Sequence, residues 1–457
     1  MAGALSAAQS VFSGAFSYVK GMKQPPLPLK ATFSQIKGVS LARSNHTVSV
    51  VNGRAYIFGG EYAPGRLADN KMHVVYLPSD LMAADYQSIP ARPEIKGDTV
   101  PTPRKGHTAV VVGDHIYVFG GQLKDDVDEP HGRLWVFSVF NKTWKYIDPA
   151  PGSSFPHPRV QHASAGSEEP QADRAPPKMT GILPQQPPDP AKYFAEPPPP
   201  NSWGTIFIYG GRELTDEDEP EEGKLLNDAW IFDIRSRTWF SLPSPPGSGR
   251  TRSSLIIAGE RLYRVGGTGA ADERLDGSVD WVEVGAVWKF GLKGSAFGDL
   301  AKSSLIGDWQ SALPDTRPGP RSGAGLVDLT KGANRGYLLQ LAGDSVTSKA
   351  AAFSDEVWAY QLPAANTGAA AKDSAKAAAN KEAKEGAWAE VVYQYLNEDG
   401  DVVQEKTSGA ASVKGFGSRG FFGSGKGTEV DGKTAVIWGG IGSNGKLLDD
   451  GWMITVG

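Results

Sequence analysis

The chain has 457 residues, and its 47 basic against 51 acidic side chains leave a formal net charge of −4, without the basic surplus that non-specific nucleic-acid binding draws on. Cysteine is absent, which excludes disulfides, thiol catalysis, zinc–thiolate sites and iron–sulfur clusters. No stretch approaches the roughly 18 apolar residues of a membrane-spanning helix, and a cytoplasmic location is expected.

Residues 4–20 place Leu5, Phe12, Phe16 and Val19 on one helical stripe and Ser6, Ser10, Ser13, Ser17 and Lys20 on another. This spacing predicts an amphipathic helix, so that residues 1–30 form a helix and linker ahead of the main domain. No acidic residue precedes Glu61. The start lacks the basic region of a secretory signal, and the first arginine, Arg43, comes late for a mitochondrial presequence. The helix is expected either to pack on the flank of the domain or to dock on a membrane surface or a partner. A mitochondrial or membrane-peripheral location is the alternative that goes with the second reading.

From residue 31 onward the chain is a repeat. With 56 glycines and 33 prolines it is rich in turns, so its strands are short. A short apolar run ending in two small residues recurs six times, at Ala55–Gly60, Ile116–Gly121, Ile206–Gly211, Leu262–Gly267, Leu338–Gly343 and Ala435–Gly440. The second small residue is always glycine, whereas the first admits Ala342. The second is therefore expected to be the position that needs positive φ or close backbone approach. An arginine precedes each run, at Arg43, Arg104, Arg159, Arg252, Arg321 and Arg419. An aromatic follows each run, at His73, Trp135, Trp230, Trp288, Trp358 and Trp452. A second aromatic with an aliphatic three residues on comes next, as in Tyr86/Ile89, Trp144/Ile147, Trp239/Leu242 and Trp388/Val391. Trp309, with Ala312 and Leu313, is one step looser.

Each unit thus offers four short strands, and residues 31–457 resemble the kelch repeat, in which one unit builds one four-stranded blade. The resemblance implies an all-β, six-bladed propeller. The last unit ends after its third strand, at Trp452–Gly457, while Phe33 and Ile36 match the fourth-strand pattern. The N-terminal strand is therefore expected to complete the sixth blade, and its removal to cost far more than loss of an ordinary terminus. Fewer than forty residues precede the repeats, so no BTB- or F-box-like segment is expected. Two insertions interrupt the blades. Residues 167–203, rich in proline, fall between the first and second strands of blade three. Residues 363–387, rich in alanine, lysine and glutamate, fall between the third and fourth strands of blade five. Strand alternation sends both from the same face, the first as extended linker and the second as a mobile or weakly helical loop.

The opposite face carries the candidate site. The resemblance places partner binding there, around the six arginines, which are expected either to bind a small carboxylate or phosphate ligand or to pair with local carbonyls and carboxylates. Three loops on this face are acidic, including Asp126, Asp218, Glu219, Asp272 and Glu273. They are expected to attract a basic protein or peptide, or else to be solvated loop tips. His46, His107 and His162 share one repeat position. Related by rotation they need not converge, so packing between blades is expected and no metal site. No cofactor is called for.

Two kelch-like enzyme types bear on this reading. Galactose oxidase uses a tyrosine cross-linked to cysteine at copper, which a cysteine-free chain cannot build. Nitrile-specifier proteins hold iron through a spaced glutamate, aspartate and histidine. Here Glu94/Asp98 and Glu169/Asp173 have the first spacing without the histidine. A binding scaffold is the expected function. An enzyme or metabolite-binding protein of the nitrile-specifier type, with a small molecule in the channel mouth, is the alternative.

Overall fold

The computed structural model describes residues 27–78, 83–124, 129–170, 203–214, 223–270, 277–285, 307–329, 336–345, 352–363, 386–396, 402–407, 415–428 and 432–457. The amphipathic segment at 4–20 and most of both insertions, at 171–202 and 364–385, lie outside these residues.

Six antiparallel sheets follow one another along the chain, and each is a blade of the propeller. Blade one runs Thr47–Val51, Arg54–Phe58, Met72–Tyr76 and Tyr86–Ile89. Blade two runs Thr108–Val112, His115–Phe119, Leu134–Ser138 and Thr143–Ile147. Blade three uses Ala163–Ser167, Thr205–Tyr209, Ala229–Asp233 and Thr238–Leu242. Blade four uses Ser254–Ala258, Arg261–Val265, Val279–Glu283 and Gln310–Ala312. In blade five the strands are Gly325–Asp328, Tyr337–Ser345, Ala352–Gln361 and Trp388–Glu390.

Blade six takes Gly423–Lys426, Thr434–Trp438 and Gly451–Val456 from the end of the chain and Lys30–Ile36 from its start. Phe33 lies opposite Ile454, and Ser34 opposite Met453. The N-terminal strand therefore closes the ring, and Leu29, Ala31 and Ile36 are buried there. It is not the outer edge, however. After leaving blade five the chain forms a hairpin, Val392–Leu396 and Val402–Thr407, that extends this sheet to six strands. Val392 pairs in parallel with Lys30, and Gln394 with Thr32. The hairpin follows directly on the fourth strand of blade five, so its N–H and C=O groups find the open edge of the neighbouring blade.

Six apolar clusters fill the spaces between adjacent blades. The cluster of Ile36, Val48, Ile57, Val436 and Trp438 joins blade six to blade one, and the other five join successive pairs. The ring is thus held by the same packing at every junction. Fourth-strand tryptophans add a polar staple: Trp239 Nε1 donates to the Gly132 carbonyl of blade two at 3.1 Å, and Trp388 Nε1 to the Gly277 carbonyl of blade four at 3.0 Å.

Strand alternation sorts the connections. The paired small residues, the second-to-third loops and the fourth-to-first loops share one face. The other hairpins, and the flanks of both insertions, Ser167/Thr205 and Gln361/Trp388, are on the opposite face. Both members of each small pair have positive φ, not the second alone. The first lies at +48° to +65°, in the left-handed well that L residues can enter at a cost, hence Ala342. The second lies at +86° to +104°, outside that well. A Cβ on Gly60 would also sit 2.4 Å from the Ser44 carbonyl oxygen, so only glycine fits.

Candidate functional site

The repeat arginine stands four residues before each inner strand, where the chain enters the blade from the channel-mouth face. In blade three Arg159 is fully buried. It donates to the Gly210 carbonyl of its own small pair at 3.0 Å and to both oxygens of Asp228 at 2.7 Å. Trp230 Nε1, on the third strand, donates to the same carboxylate at 2.6 Å. Arginine, carbonyl, carboxylate and tryptophan thus tie the inner strand to the two strands behind it. Burial by itself would raise the Asp228 pKa, but the Arg159 hydrogen bonds and charge outweigh it and hold the carboxyl below its ordinary range.

The same knot recurs around the ring. Arg104 binds Glu129 at 2.9 Å, Arg419 binds Asp450 at 3.0 Å, and Arg43 binds Asp69 at 3.0 Å. Arg321 pairs with Glu356. Trp135, Trp452 and Trp358 donate to Glu129, Asp450 and Glu356 in turn. Blade one replaces the tryptophan with His73, whose Nε2 lies 2.9 Å from Asp69 and 2.5 Å from the Arg43 guanidinium, and whose Nδ1 lies 2.5 Å from the Tyr86 hydroxyl. Of the two readings of these arginines, local pairing is what these five make.

Blade four departs from the sequence reading twice. Its repeat arginine is Arg250, not Arg252: Arg250 donates to the Gly266 carbonyl at 3.3 Å, and its own carbonyl accepts from Gly211 as Arg104 does from Gly60. Its third-strand aromatic is not Trp288, which lies outside the described residues. Asp280 stands in that register, opposite Arg264 on the second strand. Both are buried and bonded at 2.7 Å, and Arg264 also reaches the Tyr209 hydroxyl of blade three at 2.6 Å. Arg250 adds a second cation 3.6 Å from Asp280. The spacing of four to the inner strand, kept by Arg43, Arg104 and Arg159, is the signal that identifies Arg250.

Arg252 instead occupies a second ring, two residues after the repeat arginine. Asn45, Gly106, Gln161, Arg252, Gly323 and Phe421 stand there, all at φ of +53° to +61°. Five of the six amides donate to the preceding blade: Gly106 N to Asn45 O, Gln161 to Gly106, Arg252 to Gln161 and Gly323 to Arg252, all at 2.8–3.0 Å, and Asn45 to Phe421 across the closure at 2.9 Å. This hydrogen-bonded collar forms the channel mouth. Blade six puts Phe421 there and blade four Arg252, whose guanidinium lies 4.6 Å over the Phe421 ring.

The acidic residues Asp126, Asp218, Glu219, Asp272 and Glu273 lie outside the described residues. Among those described, Glu129 and Asp280 are engaged by Arg104 and Arg264, and Glu283 by Arg261 at 2.5 Å. The histidines sit between blades: His107 Nε2 meets Thr47 Oγ1 at 3.1 Å, and His162 Nε2 meets Thr108 Oγ1 at 2.8 Å. Blade six offers Gly423 in place of that hydroxyl to His46. Burial lowers the His46 and His162 pKa values to about 3. Among the described residues no helix is long and apolar enough to cross a membrane.

Comparison with known proteins agrees with this architecture. A KLHDC2/KLHL20/DRC7 Kelch-repeats domain model matches residues 32–169. Kelch domain-containing protein 3 of Rattus norvegicus is 24% identical over 62% of this chain and 80% of its own length. An N-(sulfonatooxy)prop-2-enimidothioate sulfolyase of Thlaspi arvense is 28% identical over 28% of this chain and 34% of its own. Other curated relatives are matched over still less of their length, 7% for Rho GTPase-activating protein gacHH of Dictyostelium discoideum and 21% for alpha-scruin of Limulus polyphemus. The solved structure of YjhT superposes with a TM-score of 0.53 at 11% identity, covering 92% of this chain and 99% of that one, and so speaks to the fold.

Proposed function

The chain is a kelch-repeat β-propeller, and from that premise we propose that it is a scaffold that binds a protein or peptide across its channel-mouth face. The observation that carries this reading is the repeated arginine–carboxylate knot. It fixes both ends of each second-to-third loop onto a rigid wedge, so loops of different composition are held around one mouth, and affinity is not spent on ordering their bases. Arg43, Arg104, Arg159, Arg321 and Arg419 act on a partner through the loops they hold. Asp126, Asp218 and Glu219 are the groups proposed to meet it, and their charge suits a basic partner. The similarity to Kelch domain-containing protein 3 supports this reading in kind.

The test is affinity capture with the full chain, followed by Asp218→Asn with Glu219→Gln. Loss of the captured partner, with association weakening as salt rises, is expected. Undiminished capture in the substituted protein refutes the acidic contact. The second reading, an enzyme acting on a small molecule in the mouth, draws on the similarity to the sulfolyase. Stoichiometric iron in the purified protein would favour it.

A further inference from the structure

In blade one the place of the knot's tryptophan is taken by a base. Trp135, Trp230, Trp358 and Trp452 give their carboxylates an indole N–H that is present at every pH. His73 stands there in blade one, and an imidazole titrates near neutrality. The Arg43 guanidinium is always protonated and can only donate. Its Nη2 lies 2.5 Å from His73 Nε2 and 3.0 Å from Asp69 Oδ1. Nε2 therefore accepts, and the ring is neutral with its proton on Nδ1, 2.5 Å from the Tyr86 hydroxyl. The groups facing the ring are Arg43 from the chain entering the blade, Asp69 and Lys71 from the second-to-third loop, and Tyr86 from the fourth strand. Burial first, and Arg43 next, hold the His73 pKa below 6.5 against the Asp69 hydrogen bond, which raises it. Burial alone would raise the Asp69 pKa, but its hydrogen bonds with His73 and Arg43 outweigh it and keep the carboxyl below its ordinary range. Asp69 is thus still ionised when the ring takes up a proton.

A proton on Nε2 changes which bonds this knot can make. The guanidinium then faces a second cationic donor at 2.5 Å, a distance that two donors do not hold. Asp69 Oδ1, 2.9 Å from Nε2, accepts the new proton. Arg43 keeps its bond to the Gly59 carbonyl at 2.8 Å, so the Asp69 end of the knot is what gives way. That side chain is 38% exposed and has solvent to move into. We propose that protonation of His73 releases the second-to-third loop of blade one from Arg43, making it a pH-responsive part of the channel-mouth face. The proposal rests on the scaffold reading and adds a regulation to it: this loop is presented to a partner in one position at neutral pH and in another under mild acid.

The chain has no cysteine, so Tyr62→Cys supplies a single thiol for a nitroxide label. Tyr62 is exposed and lies on the small ladder, Glu61–Ala63 with Arg66–Leu67, that this loop carries. Electron paramagnetic resonance of the labelled full chain is expected to show mobility rising about twofold between pH 7.5 and about 5, with a one-proton midpoint below 6.5. His73→Trp restores the residue that blades two, three, five and six carry, and is expected to abolish the response. His73→Gln keeps an acceptor for Arg43, cannot titrate, and is expected to do the same. A label on Lys124→Cys, exposed on the corresponding loop of blade two, where the knot uses Trp135, is expected to give no response. No response at residue 62, an equal one at residue 124, or one that survives both His73 variants overturns the proposal. The spectra are read without a partner, so a failure of affinity capture at pH 7.5 counts against the scaffold reading alone.

Discussion

The arginine–carboxylate knot makes a quantitative claim that one pair of substitutions can examine. In blade three, Asp228→Asn keeps the shape of the side chain but removes the charge that faces the fully buried Arg159. Breaking one partner of a buried ion pair costs about 3–5 kcal/mol, whereas an exposed pair is worth about 0.2–1 kcal/mol. The Asp228 side chain retains 32% of its exposure while Arg159 retains none. We therefore expect a loss of about 2–3 kcal/mol for Asp228→Asn at neutral pH, from the part of the cost that solvent cannot screen. Removing both charges, as in Arg159→Met with Asp228→Leu, leaves no orphan ion and is expected to recover at least half of that loss. Urea unfolding followed by tryptophan fluorescence reads both numbers. The carboxyl titrates below its ordinary value in the folded chain. Its contribution is thus complete above the unfolded pKa near 4 and fades as pH falls through the lower folded value. Asp228→Asn should accordingly lose its disadvantage in that acidic window. A single variant within about 0.5 kcal/mol of the parent, or a double variant no better than the single, would falsify the claim that the knot holds the loop.

Ala31, buried between Val456 and Tyr393, is expected to lose about 3 kcal/mol or more on change to Asp, because an uncompensated carboxylate would enter the closing blade. Thermal unfolding of the variant checks whether the N-terminal strand is integral to the ring. Gly60→Ala is expected to cost about 2–4 kcal/mol, since its Cβ meets backbone in a conformation L residues avoid. Gly53→Ala, at +69° with open space around it, should cost about 1–2 kcal/mol; equal losses would discredit the close-approach argument. His162 is held neutral in the fold, with its pKa lowered to about 3, while the unfolded chain takes up a proton near 6.5. Stability is therefore fully retained above about pH 6.5 and declines between there and pH 3. His162→Gln should flatten that slope by up to about 1.4 kcal/mol per pH unit, and an unchanged slope in a pH series of denaturation curves would count against it.

Much of this molecule was legible in its residues because a propeller repeats its chemistry. Paired small residues, an arginine four before the inner strand and a tryptophan after the pair recur because every junction solves the same packing problem. The count of six and the closure of the last blade by Phe33 and Ile36 follow from that recurrence alone. Sequence register misled where a blade departs from the pattern. Arg252 stood close enough to the expected place to be taken for Arg250, and nothing local marks Asp280 as the residue in the tryptophan's position, because its partner Arg264 comes from another strand. The hairpin at 392–407 was equally hidden, since its pairing with Lys30–Thr32 joins segments more than 350 residues apart. The sequence by itself determined the blade, its number and its small-residue turns, which are local and periodic. Only the tertiary structure decided that the repeat arginines are spent on their own carboxylates, and that Arg252 and Phe421, distant in the chain, meet over the mouth. Ion pairing and side-chain stacking depend on distances between blades, and periodicity carries no record of those.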